Sequence, residues 1–267
     1  MGHNTSGTSG TSAHYQRLAG SYDRQWSYGD DFLGWMTGEI EVTLALSADH
    51  RLADVGCGTG LYARRLLDVA GLRGPVLCVD PSAAMLAQVP DDPRLARLQV
   101  SAERLVTYPP PSDFVSIGSL DAILVKEAIH HVEPSDRRWV VDGLGRLLAP
   151  GGRLLVVMLP TRIGYPLFPA ALEAFERLQP DPLDIAAYLR DAGLSADVRY
   201  HDFTLTIPKE RYLAMVRERY MSVLSLFDDD QIRAGAREID AAHPEPSLTF
   251  PDRFAFVLGV RAGGSDA

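Results

Sequence analysis

The stretch DVGCGTG, residues 54–60, decides the fold of this 267-residue chain. It follows a short apolar run, residues 51–55, and precedes a segment with helical spacing of its apolar residues, 61–69. Glycine tolerates positive φ and lets a backbone approach a ligand closely, and the start of a helix presents free N–H groups. The stretch therefore predicts a strand, a ligand-binding loop and a helix in succession.

The glycine spacing separates this loop from the dinucleotide-binding loop of oxidoreductases. That motif is G-x-G-x-x-G and contacts a pyrophosphate, whereas here Leu61 stands at the place of the third glycine. Asp54, just before the loop, would repel a pyrophosphate but attracts an ammonium group directly or through water. A nicotinamide-dependent oxidoreductase is the alternative, and the loop together with Asp54 favours a ligand with a cationic end.

A second acidic residue, Asp80, follows the next apolar run, 20 residues after Gly60. A carboxylate at that place can accept hydrogen bonds from both hydroxyl groups of a ribose. Because nicotinamide enzymes share this feature, Asp80 indicates a nucleoside ligand. It does not distinguish a nicotinamide cofactor from a nucleoside with a cationic end. Ser82 after it is a good helix N-cap.

Short apolar runs alternate with helical segments through the middle of the chain. This alternation predicts a parallel sheet with helices on both faces, and right-handed crossovers then give a Rossmann-like, doubly wound α/β fold. The predicted strands are residues 51–55, 75–79, 98–100, 121–125 and 153–159, and the predicted helices between them include 61–69, 82–88 and 135–148.

We expect one domain over residues 15–267, after a disordered Gly/Ser/Thr-rich tail over residues 1–14. Further helices are expected before the core and after it, including one helix over 209–227, and alternating runs predict strands at 198–207 and 253–260. The parts of this domain are an N-terminal helical lid at 15–50, a cofactor-binding core at 51–160, substrate-side helical insertions at 160–250 and a final strand at 251–262.

The composition of the chain limits the kinds of binding partner that we expect. The net charge of −9 lacks the basic footprint of a nucleic-acid-binding protein, and no apolar run approaches the ~20 residues that cross a bilayer. The two cysteines, Cys57 and Cys78, suggest neither a disulfide framework nor a metal site. We therefore expect a cytoplasmic monomer or homodimer that binds a small molecule, with no metal, nucleic acid or membrane as partner.

Together these motifs resemble the class I S-adenosylmethionine-dependent methyltransferases of the small-molecule type. The resemblance is carried by residues 52–60, by Asp80 and by the segment from Asp121 to Val132, and it covers about residues 15–160. It implies a mostly parallel seven-stranded sheet with an antiparallel last strand. It also implies S-adenosylmethionine as cofactor and S-adenosylhomocysteine as product, with C-, O- and N-methylation equally open.

The resemblance also implies the residues that contact the cofactor. They lie on the glycine loop, at the ends of the second to fourth strands and on an N-terminal segment that closes over the site. They are Tyr22, Asp54, Gly56, Cys57, Gly58, Thr59, Gly60, Asp80, Pro81, Met85, Ser101, Ala102, Glu103 and Lys126.

Three side chains just past the fourth strand are candidates for proton transfer. His130, His131 and Glu127 lie at the edge where ligands bind in such sheets, and imidazole titrates near neutral pH. The alternative is that they support the cofactor loop.

Residues expected on the acceptor side are Tyr15, Trp26, Arg217, Arg219 and Tyr220. A forked guanidinium at Arg217 or Arg219 would bind a carboxylate or a prenyl diphosphate, unless their helix only packs as a lid. Apolar residues over 167–178 suggest a specialised-metabolite or lipid-like acceptor. A relative that binds the cofactor without transferring methyl is the other alternative.

Overall fold

The apolar runs on either side of the DVGCGTG loop form the centre of a sheet in a computed structural model that describes residues 28–107 and 114–264. Every residue of the first two strands is buried, as parallel strands covered on both faces require. The strands are β1 (Leu52–Val55), β2 (Val76–Val79), β3 (Leu95–Leu98), β4 (Leu120–Lys126), β5 (Leu148–Met158), β6 (Ser195–Pro208) and β7 (Ser247–Val260).

The strand order is β3-β2-β1-β4-β5-β7-β6. The first five of these strands pair in parallel, and β7 is antiparallel to both β5 and β6. The chain order reverses direction across β1 and β4, which is where ligands bind in doubly wound sheets. The predicted α/β fold, with seven strands and an antiparallel last strand, is confirmed.

Helices cover both faces of this sheet. In β4, Ala122 and Leu124 face one apolar core while Ile123 and Val125 face the other, which is the alternation of a strand buried on both sides. The helices in the described residues are α1 (Asp30–Leu44), α2 (Leu61–Val69), α3 (Ala83–Leu86), α4 (Ala102–Leu105), α5 (Arg137–Leu147), α6 (Pro169–Leu178), α7 (Pro182–Asp191), α8 (Lys209–Arg217) and α9 (Asp229–Ala242).

The third strand lies earlier than the sequence predicted. Residues 98–100 were expected, whereas the strand is Leu95–Leu98. Each residue of β2 pairs with one residue of β3, from Val76 with Leu95 to Val79 with Leu98. The pairing partner therefore sets the bounds of this strand, and the apolar spacing of Leu98 and Val100 does not.

The single helix expected over residues 209–227 is interrupted. α8 ends at Arg217, Arg219 has a φ of +56°, and a short 3-10 turn follows at Ser222–Leu226. A positive φ at a residue with a side chain cannot continue a right-handed helix. Tyr220 and Leu224, which follow the break, are buried all the same and belong to the apolar core.

α1 holds the part of the N-terminal region that the structure describes. Its Phe32 and Trp35 rings pack against Phe203 of β6 and Phe254 of β7, with ring centroids 5.2–6.2 Å apart. Within residues 28–107 and 114–264, no helix is both long enough and apolar enough to cross a membrane. The same ranges contain no group of three or more His, Cys, Asp or Glu side chains suited to hold a metal ion.

The ring of Phe168, the residue before α6, leaves no space at Gly235 on α9. A Cβ there would lie 2.2 Å from Cδ1 of Phe168. We expect Gly235→Ala to lower the free energy of unfolding by about 1–3 kcal/mol, because the ring must shift. Gly34→Ala on α1 is the matched control: its Cβ meets nothing within 4 Å, so higher helix propensity should stabilise it by up to about 1 kcal/mol. Urea unfolding of both variants measures this, and equal stabilities would contradict the packing argument.

Candidate functional site

The glycine loop after β1 lies directly against the neighbouring strands. The N–H groups of Gly56 and Cys57 both donate to the carbonyl oxygen of Val79 at the end of β2, at 2.8 and 3.0 Å. A Cβ on Gly56, whose φ is +77°, would lie 2.3 Å from the Cβ of Ala128. Gly56 is therefore a glycine both for its backbone angle and for the close approach of the turn after β4.

Asp80 links this loop to the start of α3. Its Oδ2 accepts from the N–H of Gly58 at 2.9 Å, and its Oδ1 accepts from the N–H of Ser82 at 2.8 Å. Burial raises the pKa of Asp80, although these two backbone hydrogen bonds oppose the shift. Each oxygen keeps a free lone pair, so the carboxylate is fixed in direction and can accept further hydrogen bonds at the sheet edge.

Asp54 is the last but one residue of β1 and is 3% exposed. Burial raises the pKa of its carboxyl to about 7; the Lys126 ammonium opposes that shift and the Asp80 charge adds to it. Taking a carboxylate out of water costs free energy unless a cation compensates it. The acid that precedes the loop is therefore poised to gain from a positively charged ligand.

A cavity of about 100 Å³ lies between the loop, α4 and the turn after β4. Its wall is mostly apolar, with one carboxylate and one imidazole at its margin. A flat, largely apolar ring with a few polar edge atoms suits such a wall. The lining includes Gly56, Ala102, Glu103, Ala128, Ile129 and His131.

Lys126, the last residue of β4, lies between the loop and the far side of the site. Its ammonium is 4.7 Å from the centroid of the Tyr62 ring on α2 and 5.7 Å from that of Phe254 on β7. Burial lowers the pKa of Lys126, while the charges of Glu127, Asp252 and Asp54 raise it. One cation therefore stands among three carboxyl groups.

Beyond Lys126, two carboxyl groups and four tyrosines form what we term the phenol–carboxylate cluster. Tyr165 donates to Oδ1 of Asp252, and the Tyr212 and Tyr220 hydroxyls lie 3.0 Å apart. The charges of these groups shift one another's pKa values, so they lie within electrostatic reach. The members are Tyr28, Glu127, Tyr165, Tyr212, Tyr220 and Asp252.

Four members of this cluster, Tyr28, Tyr165, Tyr212 and Asp252, were not among the site residues predicted from the sequence. Asp252 is fully buried, yet it lies on β7 between alternating apolar residues. The final strand was expected over residues 251–262, but the alternating apolar pattern was followed only from Arg253 and Asp252 was given no role. One sequence feature could have identified it. Asp252 is two residues from both Phe250 and Phe254, so in a strand it points to the same inward face as these apolar side chains.

The two carboxyl groups of this cluster each have an oxygen without a partner. Oε1 of Glu127 and Oδ2 of Asp252 are buried and accept no hydrogen bond within the described residues. Glu127 also has a positive φ of +51°. Burial raises the pKa of both carboxyls to about 7, with Lys126 opposing the shift at each. Buried acceptors of this kind call for a donor.

The two histidines lie apart from that cluster. Their ring centroids are 3.9 Å apart, and His131 lines the cavity. Burial, with the neighbouring His131 and Arg137 charges, places the pKa of His130 well below its usual value. The structure therefore puts His130 and His131 on the cavity side and Glu127 on the cluster side of the sheet edge.

The arginines expected to bind an acceptor are placed elsewhere. Arg217 is exposed on the last turn of α8, and Nη2 of Arg219 donates to the Phe227 carbonyl at 3.1 Å and to Asp229 at 2.6 Å. Tyr220 does reach the phenol–carboxylate cluster. Tyr15, Tyr22 and Trp26, which were expected to contact the acceptor or the cofactor, lie outside the described residues.

The remaining residues expected at the cofactor occupy the sheet edge or its support. Cys57 is half-buried, while Thr59 and the N-cap Gly60 are buried. Met85 on α3 is buried and Pro81 is exposed. Ser101 caps α4 by accepting from the N–H of Arg104 at 3.2 Å, which aims Ala102 and Glu103 into the cavity wall.

Residues 53–154 match the family described as a methyltransferase domain. An O-methyltransferase, resE, from Aspergillus sclerotiorum is 29% identical over 170 residues, which are 63% of this chain and 62% of that protein. The chain therefore spans less than two thirds of the length of this relative.

Solved structures share the architecture at low sequence identity. The YcgJ protein from Bacillus subtilis is 19% identical with a TM-score of 0.60, covering 85% of this chain and 98% of that one. Phosphoethanolamine N-methyltransferase 2 of Haemonchus contortus, in complex with phosphomonomethylethanolamine and S-adenosylhomocysteine, is 18% identical. Its TM-score is 0.58, and the match covers 92% of this chain and 57% of that one. These likenesses show the fold.

The raised pKa of Asp54 predicts a pH-dependent cost to stability. With a pKa of about 7 when folded and about 3.9 when unfolded, the carboxyl holds its proton more tightly in the folded state. The free energy of unfolding therefore falls as the pH rises from the unfolded pKa of about 3.9 through the folded pKa of about 7. We expect Asp54→Asn to gain roughly 2 kcal/mol relative to the unsubstituted protein between about pH 5 and pH 8.

Urea unfolding at both pH values measures this difference. Asp202→Asn is the control, because Arg253 lowers the pKa of that exposed carboxyl below its usual value and it stays ionised throughout. A gain of the same size for both variants would contradict the assignment.

Proposed function

We propose that the chain is a class I S-adenosylmethionine-dependent methyltransferase that transfers a methyl group to a small-molecule acceptor, as the match of residues 53–154 to a methyltransferase domain supports. The observation that carries this proposal is the glycine loop between two buried acids, Asp54 and Asp80, at the edge of β1 and β2. Such a loop suits a nucleoside with a cationic amino-acid end better than it suits a dinucleotide. The cofactor brings a sulfonium, whose methyl group is the electrophile.

The residues at this edge fit the parts of the cofactor. Asp80 has free lone pairs for the ribose hydroxyls, and the apolar cavity beside Ala102 and Ile129 suits the adenine. Asp54 gains a cationic partner in the ammonium of the methionine end. The loop binds through its backbone, so Gly56, Gly58 and Gly60 act by letting the chain come close.

The acceptor side is the opposite side of Lys126. Residues 160–250, which we propose as the acceptor-side insertions, bring Tyr165, Tyr212 and Tyr220 to the cluster, while residues 51–160 form the cofactor side. A closed and largely apolar site would align the acceptor with the methyl group and exclude water. A specialised-metabolite or lipid-like acceptor suits this apolar surrounding.

Among the three candidates for proton transfer, the geometry favours Glu127. It stands beside Lys126 on the acceptor side, and a carboxyl with a pKa of about 7 is an efficient base near neutral pH. A hydroxyl acceptor would lose its proton to an oxygen of Glu127. His130 and His131 lie toward the cavity, where contact with the cofactor suits them better.

Binding and transfer together test the proposed function. S-adenosylhomocysteine should bind and NADH should not, as measured by calorimetry, and a tritiated-methyl transfer assay over a metabolite panel should identify acceptors. We expect Asp80→Asn to weaken S-adenosylhomocysteine binding about tenfold or more, because a charged acceptor of two hydrogen bonds is lost. Asp91→Asn, on the exposed turn before β3, is the matched control. Binding of NADH in preference to S-adenosylhomocysteine would overturn the proposal.

The assignment of Glu127 predicts how activity changes with pH. Transfer to a hydroxyl acceptor should rise as pH passes about 7, where burial places the pKa of this carboxyl. Glu127→Gln should lower the transfer rate by roughly 10²–10⁴-fold and leave S-adenosylhomocysteine affinity unchanged. His131→Asn should instead weaken cofactor binding. A variant His131→Asn that loses transfer while Glu127→Gln keeps it would reverse the assignment.

A further inference from the structure

The phenol–carboxylate cluster is the part of the site that the cofactor leaves unexplained. Asp252 is 0% exposed, and its Oδ2 accepts no hydrogen bond within the described residues. Its Oδ1 is held by the Tyr165 hydroxyl, so the carboxylate cannot easily turn away. Leaving a buried charged acceptor unpaired is costly, which indicates that a donor from beyond the described residues completes this group.

The cluster adjoins the cofactor site through Lys126. The side chain of Lys126 lies between Tyr62, which follows the glycine loop on α2, and Phe254, which is two residues beyond Asp252 on β7. Its ammonium interacts with Asp54 on one side and with Glu127 and Asp252 on the other. A molecule at the cluster therefore lies next to the cofactor's methionine end.

The members of the phenol–carboxylate cluster differ in how exposed they are to solvent. Tyr28, Lys126 and Glu127 are half-buried, whereas Tyr165, Tyr212, Tyr220 and Asp252 are buried. A molecule that enters past the first group therefore meets a deep end lined by phenol oxygens and a carboxylate. The carboxylate at that end accepts hydrogen bonds and repels negative charge, while the phenol hydroxyls both donate and accept.

We propose that Asp252 and Glu127 bind the acceptor through a head group that donates hydrogen bonds, a hydroxyl or a protonated amine, and that the site rejects carboxylate and phosphate acceptors. This inference rests on the proposed function and narrows its acceptor. It replaces the anionic acceptor expected from Arg217 and Arg219, because the structure places Arg217 on the surface and binds Arg219 to Asp229. A site built to hydrogen-bond one group discriminates strongly against an analogue that cannot supply it.

Three ligands with one apolar chain and different head groups test the inference: octanol, octylamine and octanoate. Each is titrated by calorimetry into protein saturated with S-adenosylhomocysteine at about pH 8, above the pKa of about 7 of both carboxyls. Octanol or octylamine should bind at least about tenfold more tightly than octanoate. Tighter binding of octylamine indicates an ammonium acceptor, and tighter binding of octanol indicates a hydroxyl acceptor.

Two variants locate the effect. Asp252→Asn keeps the oxygen that accepts from Tyr165 but removes the charge, so it should lower the affinity for the preferred ligand about tenfold. Asp202→Asn should leave it unchanged, because Asp202 is exposed in the middle of β6 and is paired with Arg253. Should Asp252→Asn fail to fold, Glu127→Gln at the half-buried side carries the same prediction.

The outcomes distinguish a failure of this inference about the acceptor from a failure of the proposed methyltransferase function. Absence of S-adenosylhomocysteine binding overturns the proposed function itself. If that cofactor product binds and octanoate binds as tightly as octanol and octylamine, or if neither of those two binds, only the inference about the acceptor is overturned. Unchanged affinity in both Asp252→Asn and Glu127→Gln likewise overturns it.

Discussion

Two hydrogen bonds to one carbonyl oxygen fix the geometry on which the site depends. The N–H groups of Gly56 and Cys57 converge on Val79 and so join the carboxyl ends of β1 and β2. This convergence brings Asp80 close enough for the Gly58 N–H to donate to it at 2.9 Å. A side chain at position 56 would meet Ala128, so the turn after β4 closes on the loop from the other side. Three strand ends therefore meet around one backbone bend.

The parts of the fold that depend on local pattern were predictable from the sequence. β1 and β2 are short apolar strands buried on both faces. The glycine loop marks the end of β1, and Asp80 marks the end of β2. Ser82 begins its helix as side-chain chemistry requires. These features rest on residues within a few positions of one another, which is the range over which a sequence pattern is informative.

The errors lie where distant residues decide the outcome. The bounds of β3 follow from its pairing with β2, and the break after α8 follows from Arg219, whose guanidinium bonds to residues 227 and 229. The phenol–carboxylate cluster joins residues from position 28 to position 252, and no spacing in the sequence connects them. Arg217 was proposed as a ligand for its forked guanidinium donors, but a residue type on a helix does not state which side of that helix faces a site.

Charge explains why the sheet edge tolerates so many buried acids. Asp54, Glu127 and Asp252 share one ammonium, that of Lys126. The raised pKa values mean that a further positive charge or hydrogen-bond donor favours the ionised form of these carboxyls near neutral pH. A sulfonium nucleoside with its own ammonium would supply that compensation at Asp54, and a donating acceptor would supply it at Glu127 and Asp252. The same burial that costs stability in the ligand-free protein would therefore contribute binding free energy for the cofactor and for the acceptor that we propose.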